Sequence, residues 1–181
     1  VRRTFVPPMI VYLCWHLAPG ASPECARVAR HLYEFLHRPI GDDPVQRPGL
    51  EIPVQYGRSL AGLLGALVDG TEPEADARVI VVILDSAAYA SAAARATVRD
   101  AIRRWTGPDG DARHAGGEVF LPLVLDPRWH AELAVARRSA HAGLTLPGNL
   151  DAADERWQIG ADVAVVVGRT LLRTVGQAAA A

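Results

Sequence analysis

Apolar residues in this chain fall into short uninterrupted blocks, separated by Pro- and Gly-rich stretches and by longer segments with helical period. The first block, Met9 to Trp15, predicts a strand. A short turn leads from it into a helix with Ser22 as N-cap and Pro23 at the first helical position, where a missing N–H does no harm. Val28, Ala29, Leu32, Tyr33, Phe35 and Leu36 form the apolar stripe of that helix, and Pro39, Gly41 and Asp42-Asp43-Pro44 end it. Leu50 to Gln55 predicts a second strand, Tyr56-Gly57-Arg58-Ser59 a loop, and the following LAGLLGALV a helix weakened by its glycines. Beyond a polar connector from Asp69 to Asp76, Arg78 to Leu84 is the strongest strand of the chain. Its β-branched residues run continuously, as in a strand covered on both faces. Asp85-Ser86 ends it, Ala87 to Trp105 predicts one long helix, and Thr106 to Gly117 a Gly/Asp-rich loop. Glu118 to Leu125 is a fourth apolar strand, Asp126-Pro127 opens a helical stretch to about Arg138, and Leu144 to Leu146 is a short fifth strand. Asp151 to Val175 predicts a final helix: its VAVVV centre taken alone also fits a strand, but the flanks DERWQ and GRTLLRTV have helical spacing.

Strand and helix thus alternate about five times. Such alternation predicts an α/β fold, a mainly parallel sheet with helices on both faces and right-handed crossovers. Five strands suit the flavodoxin-like order 2-1-3-4-5, whose ligand crevice lies outside the C-terminal ends of strands one and three. The length of 181 residues suits a single domain, with the further expectation that it serves as one domain of a larger protein.

Composition narrows the chemistry. Half of the residues are hydrophobic and the formal net charge is −1, which predicts no strong pull toward nucleic acid or an anionic membrane. All 19 basic residues are arginine, so neither a Schiff-base lysine nor a P-loop lysine is available. The two cysteines, Cys14 and Cys25, lack a histidine partner at zinc spacing. A disulfide between them is unneeded in a domain with this much core, and the expected compartment is the cytoplasm. No apolar run reaches the roughly 18 to 20 residues that span a bilayer.

Three polar turns are expected at one sheet edge: Trp15-His16 after strand one, Tyr56, Arg58 and Ser59 after strand two, and Asp85-Ser86 after strand three. An aromatic plane, an arginine fork and a carboxylate together suit a nucleotide, through stacking, phosphate contact and hydroxyl contact. Each also has a plainer role, Trp15 as a buried aromatic and Arg58 as a solvated loop residue. No GxGxxG follows strand one and no GxSxG occurs, so the usual dinucleotide fingerprint and the hydrolase elbow are both missing. Asp42-Asp43 and the pair Asp109 and Asp111 fall in predicted loops and read as turn formers.

Several segments together resemble a Toll/interleukin-1 receptor (TIR) domain of prokaryotic type. YLCWH at Tyr12 to His16 stands where such domains carry an FISY-like strand end, and Ala29, Leu32 and Leu36 match the pattern of their first helix. VVILDSAAYAS, Val81 to Ser91, is similar to their central strand with its following Tyr and Ser, and FLPLVLD, Phe120 to Asp126, to a later strand. The resemblance implies a signalling or effector domain of an immune, stress or antiphage-defence system that acts through self-association or through another effector or sensor domain. Enzymatic members cleave the nicotinamide–ribose bond of NAD with a glutamate on the helix after the third strand; no cofactor is required, NAD being the substrate. No glutamate occurs between Ala87 and Trp105, and the one acid there is Asp100, flanked by Arg99 and Arg103. The resemblance therefore leaves two functions open. One is an NAD glycohydrolase with Asp100 as catalytic carboxylate, Trp15 stacking on a base and Arg58 on a phosphate. The other is a non-catalytic assembly module. A nucleoside deoxyribosyltransferase-like enzyme, which shares the general architecture, is a third reading.

Overall fold

A computed structural model describes residues 6–16, 23–37, 52–105, 117–134, 144–145 and 153–180. Ser22, the acids Asp42, Asp43, Asp109 and Asp111, and the expected helical stretch beyond Ala134 lie outside the described residues.

Along the chain the elements are β1 (Ile10–Trp15), α1 (Pro23–His37), β2 (Val54–Arg58), α2 (Leu60–Val68), β3 (Arg78–Leu84), α3 (Ser86–Ala90), α4 (Ala92–Trp105), β4 (Glu118–Val124), α5 (Trp129–Ala134), β5 (Leu144–Thr145) and α6 (Ala153–Ala180). All strand pairs are parallel. The four longer strands take the order β2-β1-β3-β4, as the alternation of elements requires, and β5 adds a two-residue bridge beside β4. The closing segment is helical throughout, which decides the VAVVV ambiguity in favour of helix.

Each central strand is apolar on both faces because each face is covered. Val11, Leu13 and Trp15 of β1, with Val79, Val81 and Ile83 of β3, pack under α1 and α6. Ile10, Tyr12 and Cys14, with Ile80, Val82 and Leu84, pack on the other side against α2, α4 and α5. Two parallel cores separated by a sheet explain why β1 and β3 read as continuous hydrophobic runs.

Two corrections to the sequence reading concern the sheet edge. Of the expected second strand, Leu50 to Gln55, the first two residues lie outside the described residues and Ile52 and Pro53 are not in a strand; the described strand is Val54–Arg58, so Tyr56, Gly57 and Arg58 belong to the strand and not to a loop. Gly57, at φ +84°, is a bulge: Leu13 pairs with Tyr56 and Cys14 with Arg58, leaving Gly57 without a place in the ladder. The segment after β3, expected as one helix, is two. Asp85 caps α3, and Ser91 then breaks the helix, its hydroxyl accepting from Ala94 N at 3.2 Å to open α4.

Candidate functional site

The C-terminal edge of β1 and β3, where the chain winds outward in both directions, is where a ligand crevice belongs in this architecture. Trp15 ends β1 there, buried on the α1 side. Its ring lies 5.2 Å from that of Tyr56 on β2, and Tyr56 lies 5.8 Å from Tyr33 on α1, which stacks on His37 at 5.1 Å. Tyr56 keeps 45 % of its surface exposed. Trp15 and Tyr56 are thus brought together as the sequence suggested, and the structure extends them with Tyr33 and His37. Tyr33 had been assigned only to the core stripe of α1, since helical spacing reveals a face but not which strand side chain it meets. His16 follows directly and is partly exposed.

Arg58 does not join this cluster. The bulge at Gly57 sets it opposite Cys14, whose side chain belongs to the α2-side core, whereas Tyr56 pairs with Leu13 on the α1 side. Tyr56 and Arg58, expected in one loop, therefore occupy opposite faces of the sheet. Arg58 forms an ion pair with Glu72, whose side chain is nearly buried, and donates to Gln55 Oε1 at 3.3 Å. The Tyr12 hydroxyl donates to the same Glu72 carboxylate at 3.1 Å. Burial, then the bond to Glu72, pushes the Tyr12 phenol up to about 12. Glu72 had passed as a residue of a polar connector.

Two of the remaining edge residues, Ser59 and Asp85, are tied to backbone amides. Ser59 is the N-cap of α2, its side chain accepting from Gly62 N at 3.1 Å. Asp85, only 3 % exposed, accepts from Ala88 N at 2.7 Å and is hydrogen-bonded by the Cys25 thiol, while its carbonyl receives the Trp129 indole N–H at 2.9 Å. Ser86, the first residue of α3, is exposed. Burial, followed by Asp85, pushes the Cys25 thiol well above the usual thiol range, although Cys25 stands in the first turn of α1, where a thiol ordinarily gains acidity. Desolvation likewise pushes Cys14 up to about 12. Neither thiol is a nucleophile at neutral pH.

Asp100 lies elsewhere. It sits roughly 12 Å along α4 from Ala92, at 1.5 Å per residue, and only one turn or so before Trp105, whose indole donates to Glu118 at the opposite end of β4. Its side chain is 66 % exposed and bonds Arg103 at 3.1 Å. Arg99, expected beside it, turns instead to α5 and holds Glu132 with two bonds of 2.8 and 2.7 Å.

A cluster that pattern reading did not reveal surrounds Tyr89 on α3. Trp129, fully buried, meets its ring edge-on at 5.4 Å, and the guanidiniums of Arg128 and Arg95 lie 4.5 and 5.4 Å from its centre. Arg128 also grips Asp126, and its hydrogen bonds hold that carboxyl below the usual range.

The fold and this edge define an open α/β protein with an aromatic cluster on one face of its ligand-side rim and a Tyr–Glu–Arg network on the other. The chain matches no protein-family model, no curated protein and no solved structure. Among the described residues no group of His, Cys, Asp and Glu is placed to hold a metal ion, and no helix is long and apolar enough to cross a membrane.

Proposed function

We propose that this protein is a TIR-like signalling domain of a prokaryotic immune or stress system, working in the cytoplasm by self-association or by docking an effector or sensor domain rather than by cleaving NAD. One observation carries this choice over the enzyme reading. The only carboxylate on α3 and α4, the helices after β3, is Asp100 of α4, which is exposed, paired with Arg103, and down the helix from the edge where Trp15 and Asp85 lie. Stabilising a ribosyl cation requires a carboxylate held against the reacting carbon in a site that excludes water, and Asp100 has neither the shelter nor the neighbours. Ser59 and Asp85 of that edge are engaged in capping and Arg58 in an ion pair.

A second reading, NAD glycohydrolysis, draws support from the Trp15–Tyr56 pair, because the half-exposed Tyr56 ring offers a plane on which a base can stack. Incubating the purified protein with NAD, free in solution and crowded on a scaffold, separates the two. The assembly reading expects no nicotinamide release in either condition. Release by the wild type overturns it, and comparison with Asp100→Ala then tells whether this carboxylate or another group is responsible.

A further inference from the structure

Between Ala161 and Gly176 the outer face of α6 is apolar where a surface helix ought to be polar. Its core face, Ile159, Val163, Val167 and Thr170, is buried. Directly opposite, Ala161, Val165, Gly168, Leu172, Val175 and Gly176 fall within an arc of roughly 100°, at about 100° per residue. Val165, Leu172 and Val175 are 50, 75 and 53 % exposed. A helix that is apolar on both faces has a second surface to cover.

Charge placement indicates what covers it. Asp162, Arg169 and Arg173 all lie on one flank of this stripe, the acid toward the helix start and the arginines toward its end, while Ala164 and Leu171 form the other flank. In an antiparallel pair of like helices each flank faces its own counterpart reversed, so acid meets base. In a parallel pair the charged flank faces the uncharged one, and no ion pair forms. We infer that α6 is a self-association surface on which a second copy of this chain docks antiparallel, its two-fold axis passing beside Gly168. In that register Val165 meets the partner's Leu172, Ala161 meets the partner's Gly176, and Asp162 comes within a turn of the partner's Arg173, each contact occurring twice. Gly168 at the crossing lets the two backbones approach. A groove of about 430 Å³ between α6 and β4, lined by Val119, Val166, Arg169, Thr170, Leu172 and Arg173, runs along the charged flank and receives the partner's acidic end.

The inference rests on the assembly reading above and names its surface. Sedimentation or light scattering across a wide concentration range, on the whole chain, tests it. Leu172→Glu is expected to weaken self-association at least about tenfold. Asp162→Arg and Arg173→Glu each set like charges opposite one another and are expected to weaken it as single variants. Mixing the two is expected to restore a heterodimer, because one ion pair then re-forms in reversed sense and the other is the native pairing of Asp162 with Arg173. All three positions are on the surface, and circular dichroism checks that the variants fold. Wild-type association that none of these changes affects overturns this surface while leaving assembly in place. Weakening by both single charge changes with no rescue on mixing overturns the antiparallel register, and a wild type that is monomeric throughout overturns self-association altogether.

Discussion

Replacing Asp85 distinguishes a structural from a ligand-binding role for the sheet edge. The carboxylate is buried and accepts from Ala88 N at 2.7 Å, the third amide of the five-residue helix α3, and from the Cys25 thiol. Asp85→Ala removes the cap and leaves the Ala88 N–H, itself buried, with no acceptor. Loss of an N-cap costs about 0.5–2 kcal/mol, and a buried unsatisfied donor about 1–3 kcal/mol. Both figures describe largely the same amide, so they overlap, and the expected loss is about 2–3 kcal/mol in total. For a chain of this length that corresponds to a fall in Tm of about 5–10 °C. Asp85→Asn keeps an oxygen in the same place and is as good a cap, so its expected cost stays within about 1 kcal/mol. Urea and thermal unfolding followed by circular dichroism measure both. If Asp85→Ala unfolds with the wild-type midpoint, or if Asn is as damaging as Ala, the carboxylate is not held for the cap, and the edge returns as a candidate binding site.

Three further outcomes follow from the packing and the buried acids. A Cβ at Gly160 would lie 2.6–2.8 Å from the near atoms of the Phe35 ring, where α6 crosses α1. Gly160→Ala is therefore expected to destabilise by about 1–3 kcal/mol, despite the ~1 kcal/mol of helix propensity that alanine adds; a more stable variant in urea titration would show that Phe35 gives way freely. Tyr12 and Cys14 both titrate at about 12 in the folded protein, against ordinary values of 10.0 and 9.0. The unfolded chain loses these protons first, so stability is full below the ordinary thiol range and falls as pH rises from about 9 toward 12. Denaturation midpoints measured across that window test the sign, and a flat profile would refute it. Both thiols should also stay unreactive toward a disulfide reagent at neutral pH until urea unfolds the protein.

What the amino-acid pattern disclosed was burial, and what it withheld was partnership. RVIVVIL and EVFLPLVL announce strands because each must be apolar on two faces, and Val28, Ala29, Leu32 and Leu36 announce a helix face; these are local regularities that survive folding intact. The edge was misread where a decision depends on a neighbouring strand. Nothing in Tyr56-Gly57-Arg58 shows that Gly57 will be skipped opposite Leu13 and Cys14, yet that skip turns Arg58 away from Trp15 and toward Glu72. The break at Ser91 is invisible in a run of alanines whose helix propensity is uniform, because capping by a side chain and not propensity decides it. The polar residues that together resembled a nucleotide site are polar for a common physical reason: a strand end, a bulge and two helix starts each leave backbone amides or buried charges that must be matched. Ser59, Asp85 and Arg58 meet those needs. An edge residue becomes evidence for a ligand only once its obligation to the fold has been subtracted. After that subtraction Trp15, Tyr56 and their aromatic neighbours remain at this edge with His16 and Ser86, and the outer face of α6 remains elsewhere.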